Sequence, residues 1–172
     1  MSTTAYSNPH RVDVRDPVPE EADLRSAMRL FPTGVALLCT GTGEKAVAMT
    51  INALMSVSLT PPRILVSVLN TARAHPVLSA SRSFTVHLLS ERQAATAGQF
   101  ASQEKPRGTA LENLVEQDVL PGALATLWCS VEQVIEGGDH GLFLSRVESI
   151  EHGEEDGEPL IFHRGALGSK QR

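Results

Sequence analysis

The residues of this chain best placed to do chemistry lie in residues 49–62, MTINALMSVSLTPP. Thr50, Asn52, Ser56 and Ser58 recur there on short β-compatible segments, ahead of a rigid double-proline exit. Hydroxyl and amide groups at such spacing can bond the polar edge of a flat heterocycle, and strand edges add backbone N–H and C=O groups without any charged side chain. The plainer alternative is that alternating hydroxyls on a strand face solvent. Further along, Asn70-Thr71-Ala72-Arg73 follows a strand and precedes a short helix. An anionic phosphate can take backbone N–H groups and a guanidinium at such a place, and an ordinary helix start is the competing reading. His140 lies in a glycine-rich turn, and His163 and Arg164 stand beside Gly165 at a strand end; each could touch a ligand or belong to its turn.

Other chemistries lack their parts. There is no GxSxG elbow, no HExxH and no glycine loop followed by Lys-Ser/Thr, which argues against serine hydrolase, zincin and P-loop readings. The Rossmann glycine fingerprint is missing too, so any nicotinamide or flavin binds without the βαβ phosphate turn. The acidic pairs Glu20-Glu21 and Glu154-Glu155 sit in polar segments that read as solvated surface. Cys39 and Cys129 are far apart, each in an apolar run, and read as buried structural thiols in a reducing cytosol. A formal charge of -5 argues against nucleic acid as a partner. No apolar run reaches a membrane span, and the first residues lack a signal-peptide core, so a cytoplasmic location is expected.

These side chains must be positioned by a small-residue β framework. The chain has 172 residues, 41% of them apolar and 4% aromatic, which suits one domain with a Val, Leu, Ile and Ala core. Residues 1–19 read as a flexible arm, 20–166 as the domain and 167–172 as a tail. Within the domain, residues 22–31 carry near-helical apolar spacing that Pro32 stops. Strands are expected at residues 35–40, 45–51, 55–59, 64–69, 84–89, 124–135, 142–150 and 160–163, with helices at 76–80 and 91–101. Residues 102–121 read as a surface excursion or lid with a helical turn at 111–115. Many short antiparallel strands with few helices predict a mainly β fold in the form of a closed or split barrel, since closure removes exposed edges.

Taken in order, six motifs resemble the flavin reductase family, the short-chain NAD(P)H:flavin oxidoreductases that serve two-component monooxygenases. They are FPTGV (31–35), MTINALMSVSLTPPRILVSV (49–68), SFTVHLLSERQ (83–93), QFA (99–101), GGDHGLFLSRV (137–147) and PLIFHRG (159–165). The resemblance implies a split β-barrel of the FMN-binding type with a few short helices, assembled as a homodimer with flavin near the subunit interface. It implies reduction of FMN or FAD by NADH or NADPH, and delivery of diffusible reduced flavin to a partner monooxygenase or halogenase. It implies a ring site at Thr50, Asn52, Ser56, Val57 and Ser58 and phosphate contacts at Thr71, Ala72 and Arg73. Phe100 and Lys105 would approach the flavin from helix and lid, with His140 and Arg164 on the nicotinamide side. The chain departs from the family's habits at His87, where Asn is frequent, and at Leu54, where an aromatic is frequent. A non-catalytic flavin- or haem-binding split barrel and a flavin enzyme acting on an organic substrate are the alternatives.

Overall fold

The computed structural model describes residues 18–102, 111, 114–115, 119–153 and 156–168. Most of the described chain is strand, as the alternating apolar pattern predicts. Ten strands are described: β1 (Thr33–Gly34), β2 (Ala36–Thr40), β3 (Val47–Ile51), β4 (Leu54–Leu59), β5 (Pro62–Leu69), β6 (Ser83–Leu88), β7 (Ala125–Gly137), β8 (His140–His152), β9 (Ile161–His163) and β10 (Ala166–Gly168). They are accompanied by the helices α1 (Glu21–Met28), α2 (Ala74–Ser81) and α3 (Ala94–Ala101), with short 3-10 turns at Gly43–Lys45 and Glu91–Gln93.

Seven strands form one antiparallel sheet in the order β3-β2-β6-β7-β8-β5-β4. The two outermost strands, β3 and β4, are consecutive in the chain and are joined by Asn52 and Ala53 alone. A two-residue link spans only about 10 Å, because the chain reaches at most ~3.6 Å per residue. The sheet must therefore curl until its edges meet at that corner, and the edges do not pair beyond it. This is the split barrel expected from the sequence. A smaller sheet, β1-β9-β10, lies beside it.

The alternation along each strand builds two cores. Leu38, Val66, Val68, Val86 and Phe143 point inward and meet Leu78 of α2. Leu37, Cys39 and Ala48 point to the other face, where Ala97 and Phe100 of α3 cover them together with Leu160. Both cysteines are buried and free, and burial pushes each thiol up to about 12, so neither is a nucleophile near neutral pH.

Several sequence expectations shift. The 22–31 helix ends at Met28, and none of its residues is buried, because no part of the described chain packs on its apolar face. Thr33-Gly34, ahead of the first expected strand at residue 35, forms a short strand paired with β9. The long hairpin is longer than expected: β7 runs to Gly137 and β8 starts at His140, so the six-residue turn shrinks to Gly138 and Asp139. β8 also runs past its expected end at residue 150, to His152. The expected boundary at residue 166 falls inside β10, whose pairing with β9 holds Leu167 and Gly168 in the domain. Most of residues 1–19 and 102–121 lies outside the described residues, as do Glu154 and Glu155.

Candidate functional site

The Asn52-Ala53 corner is where the site begins. Each edge strand has one neighbour, so alternate N–H and C=O groups of β3 and β4 point away from the sheet. Among the described residues no other backbone group pairs with them. At this corner both edges therefore carry main-chain donors and acceptors without a strand partner. β4 adds a bulge: its register with β5 shifts between Ser56 and Ser58, leaving Val57 as the extra residue. Bulges re-aim side chains and are frequent beside ligand sites. Ser56 and Val57 are exposed and Ser58 is half-buried.

Asn52 stands at the apex, with its Nδ2 3.3 Å from Thr33 Oγ1. Two cavities meet there and share Phe31, Thr33 and Asn52 as lining residues. One, of about 370 Å³, runs between Gly34, Ile51, Leu54, Leu88 and Leu160. The other, of about 360 Å³, runs toward Arg25, Arg29 and Phe162. Each is of the size that holds a small-molecule ring system. Among the described residues the first has no titratable lining group.

Thr50 departs from the sequence expectation. Its register with Leu37 turns the side chain to the α3 face, where Oγ1 donates to the Ala97 carbonyl at 2.7 Å. The hydroxyl proton is thus committed to the scaffold, which leaves the Thr50 backbone and an oxygen lone pair for any ligand. Phe100 departs further. It is 4% exposed and fills the second core, so it supports β3 from behind instead of lining the cleft. Lys105 lies outside the described residues.

Thr71, Ala72 and Arg73 form the turn from β5 into α2. Thr71 and Arg73 are exposed, and no side chain caps the start of α2. This loop is fastened to the tip of the β7–β8 hairpin. The Asn70 N–H donates to the Asp139 carbonyl at 2.9 Å, and its Nδ2 donates to the Gly138 carbonyl at 3.2 Å. His140 pairs in register with Leu69, and its Nδ1 lies 2.7 Å from Asp139 Oδ1. The structure therefore brings the 71–73 loop and His140 together at one end of the barrel. The β4–β5 pairing continues through the Ser67 N–H bond to the Ala53 carbonyl, which sets Asn52 toward the same end.

Arg164 lies in the left-handed region at φ 52°, with its N–H donating to the Arg29 carbonyl and its own carbonyl accepting from Arg29, which lines the second cavity. It thereby joins the smaller sheet to the end of α1. Thr33, Asp139 and Arg29 were not singled out as site residues from sequence, and Asn70 was read only as part of the 70–73 phosphate segment. Asn70 and Asp139 stood inside quoted motifs, but their contacts join segments nearly 70 residues apart. No group of three or more potential metal ligands occurs among the described residues.

A seven-stranded split barrel with unpaired strand edges at its corner defines the class of protein. Within that class the chain belongs to the family described as flavin reductase like domain, whose model matches residues 28–170. It is 36% identical over 155 residues to the NADH-dependent FMN reductase AsuE2 of Streptomyces nodosus subsp. asukaensis, covering 86% of this chain and 84% of that protein. It is 40% identical over 142 residues to the reductase component of 4-hydroxyphenylacetate 3-monooxygenase of Thermus thermophilus, covering 82% and 91%. Among solved structures, it superposes with a TM-score of 0.78 on the Streptomyces globisporus NADH:FAD oxidoreductase SgcE6 in complex with NAD and FAD fragments. That match has 30% identity and covers 93% of this chain and 96% of the other.

Proposed function

We propose that the protein is an NAD(P)H:flavin oxidoreductase that reduces FMN or FAD and releases the reduced flavin to a separate monooxygenase or halogenase. The observation that carries this reading is the corner at Asn52, where the cavity between Gly34, Ile51, Leu54, Leu88 and Leu160 is apolar and, among the described residues, free of titratable groups, while the strand edges that meet there carry unpaired backbone donors and acceptors. Hydride passes from a nicotinamide to a flavin by alignment of two rings, and the flavin supplies the electron-accepting chemistry. The chain's own residues need only bind, orient and keep water away. A site built for acid–base hydrolysis would carry carboxylates or histidines where this one carries Ile51, Leu54, Leu88 and Leu160.

In this reading the backbone around Thr50, Asn52, Ser56, Val57 and Ser58 holds the ring edge, with the Asn52 amide at the apex. The turn of Thr71, Ala72 and Arg73 takes the phosphate, and Lys105 approaches the flavin from the 102–121 segment. His140 and Arg164 serve the nicotinamide side. Phe100 acts from behind β3 through packing.

A homodimer is part of the same proposal. An eight-residue helix is marginal in water by itself, because helix nucleation is costly. α1 buries none of its residues within its own chain, and Leu24, Met28, Leu30 and Phe31 are each more than half exposed there. A second copy covering that face would also close the cavity lined by Arg25, Met28 and Phe31. A cytoplasmic location belongs to the same reading; among the described residues no helix is long and apolar enough to cross a membrane.

The test is nucleotide oxidation by purified protein with NADH or NADPH and with FMN or FAD, four mixtures in all. Oxidation well above the protein-free background in at least one mixture is expected. No acceleration in any of the four would overturn the proposal, and a tightly retained flavin without turnover would favour a carrier.

A further inference from the structure

We propose that Asp139 is a positioning residue for His140, fixing its ring with Nδ1 protonated and Nε2 as the nitrogen presented to a ligand. Asn70 holds the turn that carries both. The inference rests on the placement of His140 on the nicotinamide side.

The hairpin between β7 and β8 has two loop residues, Gly138 and Asp139, and Gly138 adopts φ +74°, a conformation that glycine takes without steric cost. Such a turn would move freely if it were held by its strands alone. Asn70 removes that freedom by placing both of its donors on successive carbonyls of the turn, Asp139 and Gly138. The His140 backbone is fixed on both sides, paired with Gly137 in β7 and with Leu69 in β5. Only rotation of the imidazole remains, and Asp139 Oδ1 at 2.7 Å from Nδ1 limits it.

The tautomer follows from the donor inventory. An ionised carboxylate only accepts, and the hydrogen bond from His140 holds the Asp139 carboxyl below the usual carboxylate range. Nδ1 must then carry the proton. In the neutral ring Nε2 becomes an acceptor, and among the described residues it has no hydrogen-bond partner. With 38% of the side chain exposed, that nitrogen is available to a primary amide N–H such as a nicotinamide carboxamide offers. The second ring nitrogen's partner sets which tautomer a functional histidine adopts. Here that partner is the residue immediately before it.

Nitrogen-15 NMR of the His140 ring in the full chain, without ligands and in mildly alkaline buffer, tests this directly. The wild type is expected to show the Nδ1–H tautomer, and D139A a shift toward Nε2–H. D139N, which keeps an acceptor oxygen in place, is expected to move the ring signals less than D139A. A wild-type ring already in the Nε2–H form, or a D139A ring indistinguishable from wild type, overturns the inference. Steady-state kinetics supply the second readout: D139A raises the nicotinamide KM roughly fivefold to tenfold, the effect of one lost oriented hydrogen bond, while the flavin KM stays within about twofold. H140A separates the two ideas. If it leaves the nicotinamide KM unchanged, the placement of His140 fails while the tautomer result stands; if it raises KM and D139A does not, positioning by Asp139 fails.

Discussion

Thr50 on the open edge of the barrel and Ala97 in the middle of α3 are joined by a single hydrogen bond of 2.7 Å, from hydroxyl to carbonyl. This bond fastens the cleft's β3 wall to the helix behind it. Replacing Thr50 by valine keeps the shape and removes the donor, with an expected cost of about 1 kcal/mol in stability, whereas Thr50→Ser is expected to stay near wild type. Urea denaturation of the two variants checks this. If the side chain served the ring directly, Thr50→Val would raise the flavin KM without changing stability, and that outcome would reverse the assignment.

His87 illustrates how much of the interior a sequence leaves open. It reads as an ordinary strand residue, and the structure buries it to 1% exposure between Leu37 and Thr126. Its Nδ1 lies 2.9 Å from Thr126 Oγ1, and burial pushes its pKa down to about 4. The unfolded chain takes up this proton near pH ~6.5 and the folded one only near 4, so stability is full above about 6.5 and falls as pH drops through that window. The loss should be on the order of 3 kcal/mol by pH 4. His87→Asn should flatten this limb, read as denaturation midpoints between pH 7.5 and 4.5. An unchanged slope would mean that His87 does not govern it.

The strands, the two cores and the ordered motifs were legible because period-two alternation is a local property of the chain. The closure of the barrel was legible in kind, from the number of short strands, but not in detail. That β3 and β4 are opposite edges meeting at Asn52 depends on pairing partners far away in sequence, such as β5 with β8. The burial of Phe100 was hidden for a related reason. A helical motif shows which residues recur, but which face meets the sheet is decided by Leu37 and Cys39 on a strand sixty residues earlier. The Asn70 clamp was equally hidden, since its partners lie on the β7–β8 turn.

Gly141 shows how tightly the barrel end is packed. A Cβ added there would lie 2.5 Å from His75 Nε2 and 3.2 Å from the Phe143 ring. His75 is itself held edge-on to Phe143, with centroids 5.3 Å apart at 69°. Gly141→Ala must therefore displace the His75 ring, and overpacking of this kind costs about 1–3 kcal/mol. A lower melting temperature is expected together with a raised nicotinamide KM, because the residue adjoins His140. Normal melting would show that His75 swings aside freely.

Glu132 holds together two arginines that would otherwise repel. Arg63 of β5 and Arg146 of β8 are register partners, and a bulge between Val131 and Gln133 aims Glu132 at both. Arg63 Nε is 2.6 Å and Arg146 Nη2 is 2.9 Å from its carboxylate oxygens. The hydrogen bond from Arg63 holds the Glu132 carboxyl below its ordinary range, so this contribution is present at neutral pH and is lost on acidification. Glu132→Gln leaves like charges face to face across two strands, which is destabilising. Its melting temperature should fall below wild type at low ionic strength and recover partly in concentrated salt, where charges are screened. A deficit that does not depend on salt would point to packing instead of charge.

The exposed face of α1 carries the proposal about assembly to a measurable point. Leu24 is 62% and Met28 54% exposed within one chain, and four residues apart they lie on the same side of the helix. If a second copy covers this face, Leu24→Glu with Met28→Glu places two carboxylates in an apolar contact, where an unpaired charge is costly. Light scattering should then shift from dimer toward monomer, with the fold of each barrel intact by circular dichroism, because α1 contributes no residue to either core. Turnover should fall as well, since Met28 and Phe31 line the cavity that meets the cleft at Asn52. A double variant that remains dimeric would place the subunit contact elsewhere, and one that is monomeric yet fully active would separate assembly from the site.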